Sequence, residues 1–257
     1  MDGSAPPVAV ERHGAVMVIA IDRPARRNAV DAEVSRRIAD ALDELDGTTD
    51  LRVGVLTGRG GSFCSGMDLK AFLAGERPEL EGRGFAGVTE RPPAKPMIAA
   101  VEGFALAGGC ELALACDLIV AADDAWFGLP EVSRGLVAGS GGLVRLPRRI
   151  PQAIALEYIL TGARMPAPVA HGWGLVNRLS RPGEALAAAL ELAREIASNA
   201  PLSVLMSKRI VQEAGSWSDG EIWDQQRPLA EAVIGSEDAR EGALAFAEKR
   251  APQWSGT

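Results

Sequence analysis

Apolar residues come in short runs over the first two thirds of the chain and in helical stripes over the last third. Residues 8–12 and 15–21 are two such runs, separated by His13-Gly14. A pair of strands joined by a tight turn is the reading. A loop follows Arg23-Pro24. From 31 to 45, apolar residues recur at Val34, Ile38, Ala41, Leu42 and Leu45, the spacing of an amphipathic helix. Residues 51–57 form a buried strand, and 58–61 a turn. From Glu76 to Lys95 the chain turns polar, with charges of both signs, three prolines and three glycines. This segment is expected to be an exposed, mobile excursion. A strand at 96–101, a helix at about 109–116 and a short strand at 118–121 come next. Beyond Pro182 the sequence becomes rich in Ala, Leu and Glu. Three or four helices are expected between Glu184 and Arg250, punctuated by Pro201, Gly215 and Gly235. Alternating strands and helices followed by a helical tail predict an α/β core (1–197) with a C-terminal helical region (198–257).

Composition narrows the function more than the fold. The 257 residues are 47% hydrophobic and 24% charged, ordinary for a globular chain. The net charge of −7 speaks against non-specific binding to nucleic acid or a membrane surface. Three cysteines and two histidines supply no zinc set, and no metal is expected. The unpaired thiol count suggests a reducing compartment. The first residues lack a basic segment followed by an apolar one, so no secretion signal is read and a cytoplasmic location is expected. The most apolar stretch, 104–122, carries Glu111 and Asp117 and reads as core, not as a membrane span.

Three glycine-rich places stand out: Gly60 to Lys70, Ala107-Gly-Gly-Cys-Glu111 and Gly139-Ser-Gly-Gly142. Such loops aim backbone N–H groups at a ligand, and a helix N-terminus adds a field favourable to negative charge. None has the spacing of a phosphate loop or a dinucleotide fingerprint. Glu111 sits among apolar residues and glycines, where an ionised carboxylate without a partner costs several kcal/mol. Glu131 follows Pro130, which suits the first position of a helix. Two carboxylates beside loops of backbone donors are the pattern for proton transfer next to an oxyanion.

Phe63-Cys-Ser-Gly-Met-Asp-Leu-Lys70, Ala105-Leu-Ala-Gly-Gly-Cys-Glu-Leu-Ala-Leu-Ala-Cys-Asp117 and Phe127-Gly-Leu-Pro-Glu131, followed by Gly135 and Gly139-Ser-Gly-Gly142, resemble the crotonase family of enoyl-CoA hydratases and isomerases. Arg23-Pro24 with Asn28-Ala29, and Gly174-Leu-Val-Asn177, fit the same family. The resemblance spans nearly the whole chain. It implies a spiral of ββα units, a C-terminal helical region used in trimerisation, and acyl-CoA thioester substrates. It makes the N–H groups of Met67 and Gly108 an oxyanion hole for the thioester carbonyl. Glu111 and Glu131 match the two glutamates with which hydratases of this family hold a water and shuttle its protons. Arg26, Arg27 and Lys70 lie where the family meets the CoA moiety, and Lys249 matches a C-terminal CoA contact from the same or a neighbouring subunit. Cys64, Asp68, Leu69 and Gly139 are carried with them as residues of the substrate-binding loops, although Cys64 by itself reads as a small apolar filler.

Met67 stands where simple hydratases often carry Ala, Ala138 where many members carry Pro, and Ala107 in place of a Gly. These departures bear on the acyl group, not on enolate chemistry. The expected activity is reversible hydration of a 2-enoyl-CoA, with no cofactor beyond the CoA of the substrate, by a homotrimer or a dimer of trimers. The alternatives are double-bond isomerisation, dehydration of a carnitinyl-type thioester, or a non-catalytic acyl-CoA-binding relative.

Overall fold

The computed structural model describes residues 6–257. Strand β1 (Val8–His13) pairs antiparallel with β2 (Val16–Ile21) across the Gly14 turn, as the sequence predicts. Beyond them β3 (Val53–Gly58), β6 (Met97–Val101), β8 (Leu118–Ala122) and β11 (Arg178–Ser180) add in parallel, giving one sheet in the order β1-β2-β3-β6-β8-β11. A two-stranded ladder of β4 (Glu79–Leu80) and β5 (Gly84–Phe85) lies in the connection between β3 and β6. A smaller sheet joins β7 (Phe104–Leu106), β9 (Trp126–Gly128) and β10 (Met165–Pro166). The chain thus runs strand, strand, helix from β6 and again from β8, and each such unit brings a loop and a helix N-terminus to the same cleft.

Every residue of β2 is buried, because both faces of the sheet are covered. Met17, Ile19 and Ile21 point into the main core with Val34, Ile38, Leu42 and Leu45 of helix α1 (Ala32–Gly47). Val16 and Val18 point the other way, against Ala189, Leu192 and Ala193 of helix α7 (Ala185–Ala197). This is the two-residue alternation of a strand read directly in its packing. Asp31 starts α1 by accepting the amides of Glu33 and Val34.

Short helices α2 (Leu69–Leu73) and α3 (Gly108–Ala115) flank the cleft, followed by α4 (Gly142–Arg149), α5 (Gln152–Thr161) and α6 (Ala167–Gly172). After α7 come α8 (Pro201–Ala214), α9 (Ile222–Ile234) and α10 (Glu237–Glu248), the breaks falling at Pro201, Gly215 and Gly235. Lys208 fastens α8 to the core, donating to Asp117 at 2.7 Å and to the carbonyls of Pro93 and Lys95 at 2.9 Å. No helix among the described residues is long and apolar enough to cross a membrane.

One expectation fails. The segment from Glu76 to Lys95 is not an exposed excursion: Phe85, Ala86, Val88 and Thr89 are buried, and Lys95 caps the end of α1 by donating to the carbonyls of Leu45 and Thr48 at 2.7 Å. Four small or apolar side chains amid charge are too few to register as a pattern. Burial here comes from contact with Gly108 of α3, under the Phe85 ring, and with Ser35 and Ala39 of α1, beside Gly87, not from a local stripe.

Candidate active site

The loop 63–68 and the N-terminus of α3 are stitched together by backbone. Cys64 donates to the Phe104 carbonyl and accepts from the Leu106 amide at 3.0 Å, while Val30 donates to Gly66 and accepts from Asp68, each at 2.8 Å. This leaves the amides of Met67 and Gly108 without a protein acceptor among the described residues. Gly66 has φ +94°, and a Cβ there would stand 3.0 Å from the Gly108 nitrogen. A side chain at Gly66 would therefore fill the space beside that donor. Gly108 has its own neighbour: a Cβ on it would strike the Phe85 ring at 2.7 Å. Ala107, just before α3, holds φ 50° and ψ −128°, a conformation costing roughly 1–3 kcal/mol in a non-glycine residue. Its amide, bonded to the Gly128 carbonyl at 2.9 Å, fixes it there. The strain aims the first turn of a fully buried helix, and its positive end, at the cleft.

Glu111 lies one turn into α3 and is 3% exposed. Its Oε1 accepts the Ser140 amide at 2.7 Å and the Gly142 amide at 2.9 Å. Burial raises its proton affinity above that of an ordinary carboxyl, although those two amides and the charge of Arg145 pull it back. Glu131 sits in the first turn of a short 3-10 helix, Pro130–Arg134, that Pro130 opens as its sequence position suggests. Its Oε2 is buried and has no hydrogen-bond partner among the described residues. Burial raises this carboxyl as well; the nearby Glu111 charge pushes it further, while its own backbone amide and Arg134 oppose. Two carboxyls in one cleft, both biased towards the proton, are suited to passing protons at neutral pH.

Met67, Gly108, Glu111 and Glu131 line a single cleft of about 960 Å³. Arg26, Arg27, Asp68, Leu69, Lys70 and Gly139 line it too. The Asp68 carboxylate is a structural part of that wall. Burial lifts it, but the Ala71 amide, the Arg23 guanidinium and the Lys70 amide outweigh this and hold it below the ordinary carboxylate range. It caps α2 and pairs with Arg23 at 3.1 Å, which fixes the loop bearing Arg26 and Arg27.

Two sequence-predicted residues lie elsewhere. Cys64 is completely buried, its thiol pushed up to about 12 by burial, and it does not face the cleft. The parallel bridge to Ala105 turns its side chain inwards, so its part in the loop is structural. Lys249 ends α10 at φ 54° on the exposed surface, outside the cleft lining of its own chain.

Residues 11–257 match the family described as enoyl-CoA hydratase/isomerase. The chain belongs to this family, the crotonases. It is 44% identical over 251 residues to the carnitinyl-CoA dehydratase of Proteus mirabilis strain HI4320, covering 95% of this chain and 96% of that one. Among solved structures, an enoyl-CoA hydratase from Mycobacterium tuberculosis H37Rv superposes with a TM-score of 0.97 at 58% identity, over 98% of this chain and all of the other. A carnitinyl-CoA hydratase from Mycobacterium avium gives 0.79 at 46% identity, over 99% of this chain and all of that one.

The crotonase cleft also contains residues that sequence reading did not single out. Phe85, Glu79 and Glu90 come from the segment taken for surface, and Arg134, Leu136 and Val137 from the turn after Glu131. Phe85 is the one with a visible signature, a lone aromatic in the Gly84-Phe-Ala-Gly87 stretch of a charged segment. Glu79 and Glu90 are indistinguishable by pattern from solvated charges; only the fold turns them towards the cleft.

Proposed function

We propose that this crotonase adds water reversibly across the 2,3-double bond of a 2-enoyl-CoA. The observation that carries the reading is the buried pair Glu111 and Glu131 in the same cleft as two unengaged amides. In this mechanism Met67 and Gly108 donate to the thioester oxygen as it gains enolate charge. Each preorganised donor of this kind contributes roughly 3–4 kcal/mol to the transition state. One glutamate accepts a proton from water as its oxygen bonds to C3; the other delivers a proton to C2. The reverse reaction expels water from a 3-hydroxyacyl-CoA through the same enolate. Substrate and water balance without a further cofactor. Arg26, Arg27 and Lys70 supply local positive charge for the CoA phosphates despite the net charge of −7.

A second reading concerns the acyl group. Glu79 and Glu90 line the cleft and form no ion pair among the described residues, and Phe85 adds an aromatic ring. Carboxylates and a ring together favour an acyl tail ending in a quaternary ammonium, the chemistry of the carnitinyl thioester named for the curated relatives. A panel assay separates the two. Crotonyl-CoA should lose its conjugated absorbance when mixed with enzyme. If the tail is recognised as cationic, carnitinyl-CoA should exceed the neutral 3-hydroxybutyryl thioester in kcat/KM by about 10-fold or more, a difference of one good charge–ring contact. No turnover of either class would remove the hydratase reading.

The same proposal includes a trimeric assembly and a cytoplasmic location. Helices α8 and α9 have no fully buried residue, and Val211, Trp223, Ile234 and Phe246 are exposed. Apolar area of this kind is stabilised by burial at roughly 25 cal/mol per Å². Light scattering at micromolar concentration should give a mass of three chains or six; a monomer mass would refute the assembly.

A further inference from the structure

We infer that Arg145 is a positioning residue for Glu111, clamping the glycine loop that holds this carboxylate and presenting a positive charge to it. The inference rests on the proton-transfer role proposed for Glu111. Arg145 lies in the first turn of α4. Its guanidinium donates to the Ser140 carbonyl at 3.3 Å and to the carbonyl of Thr89, which is buried in the segment that carries Phe85. Ser140 and Gly142 in turn give their amides to Glu111 Oε1. Gly141, at φ +105°, lies directly on the guanidinium: a Cβ there would meet Nη1 at 2.0 Å. One side chain therefore joins the segment that carries Phe85 to the glycine loop whose amides hold the carboxylate.

Arg145 is half-buried and has no carboxylate within ion-pair distance among the described residues. Burying a cation against carbonyls alone is costly, so its position must be fixed by what it holds. The groups around it are Glu111 from α3, the Cys116 thiol at the end of α3, and Arg148 and Arg149 on its own helix. Glu131, itself under the charge of Arg134, faces Glu111 from the 3-10 turn. Burial lowers the proton affinity of Arg145 and the Glu111 charge restores part of it, the mirror image of the effect on Glu111. A planar fork reaching two carbonyls is a task for arginine that lysine performs poorly.

The test is titration of the Glu111 carboxyl by NMR, with carbon-labelled glutamate and the signal assigned through Glu111→Gln. Arg145→Gln should raise the Glu111 midpoint by about one unit, the size of losing one nearby opposite charge. It should lower kcat by about 10- to 100-fold with KM nearly unchanged. Arg145→Lys, which keeps the charge, should leave the midpoint near that of wild type and restore part of kcat. In wild type the side-chain nitrogen of Arg145 should titrate with the Glu111 midpoint and stop doing so in Glu111→Gln, which keeps the test valid if Arg145→Gln does not fold. An unchanged Glu111 midpoint in folded Arg145→Gln, or no shared titration in wild type, would overturn the inference. The NMR readouts need no turnover. A wild type inactive on every enoyl-CoA but with the coupling intact would refute the reaction instead.

Discussion

Glu111→Gln and Glu131→Gln each lower kcat by about 10²- to 10⁴-fold, the range for losing one positioned acid or base. KM changes much less, since Arg26, Arg27 and Lys70, the cleft-lining residues proposed to hold the CoA, are untouched. The double variant loses little more than the worse single one, because the two groups act as a unit. Steady-state kinetics over pH provide the check. Both carboxyls are raised by burial, and Glu131 further by the Glu111 charge. The pair therefore titrates above the ordinary carboxylate range, in two steps that belong to both groups. Wild type should lose activity on both sides of an optimum, and each variant should lose one limb.

Stability moves in the opposite direction. A carboxyl raised in the folded state makes folding take up protons, so its ionisation subtracts nothing below the ordinary carboxylate range and progressively more as pH rises through the raised value. Glu131→Gln also removes a charge whose Oε2 has no partner among the described residues. Its Tm should therefore exceed that of wild type by about 2–4 °C at pH 8, the shift for roughly 1 kcal/mol in a chain of this size, and converge with it near pH 4. A lower Tm at pH 8 would show that the carboxylate is better satisfied than its surroundings indicate.

Gly66→Ala should cost about 10²- to 10³-fold in kcat, as for removal of an oxyanion donor. The added methyl would stand 3.0 Å from the Gly108 nitrogen and 3.1 Å from the Ala107 Cβ, in the space proposed for the thioester oxygen. At φ +94° it also adds backbone strain of about 1–3 kcal/mol, so the variant should melt earlier. Glu111 and Glu131 remain in place, which separates the effect from acid–base loss: the pH profile keeps its shape while its height falls. Calorimetric binding of a saturated acyl-CoA tells occlusion from unfolding. If kcat stayed within about threefold of wild type, the oxyanion would not sit between these two amides.

Much of this architecture was legible because local and global preferences agree. The stripe from Val34 to Leu45, with Asp31 before it, specifies α1 to within two residues. The unbroken run in β2 announces a strand covered on both faces. Pro201, Gly215 and Gly235 mark three of the C-terminal helix boundaries. Glu111 was conspicuous because no solvated reading fits a carboxylate in that sequence. What escaped notice depends on distant parts of the chain. Phe85 is buried because Gly108, far along the chain, leaves room for its ring. Cys64 turns inwards because its backbone bridges to Ala105. Arg145 is one of three arginines in α4, and only the fold selects which of them reaches Ser140 and Thr89. The Pro130 turn stays 3-10 since Gly135, in the left-handed conformation, ends it after five residues.

The central claim is that water, held between Glu111 and Glu131, adds to C3 of an enoyl thioester. It is tested most directly by converting crotonyl-CoA in water enriched in heavy oxygen and locating the label by mass spectrometry. Wild type should place heavy oxygen at C3 of the 3-hydroxyacyl product, and the Glu111→Gln/Glu131→Gln double variant should do so at least about 10²-fold more slowly. A wild type that forms no labelled 3-hydroxyacyl-CoA, or a double variant that labels it as fast as wild type, would contradict the account.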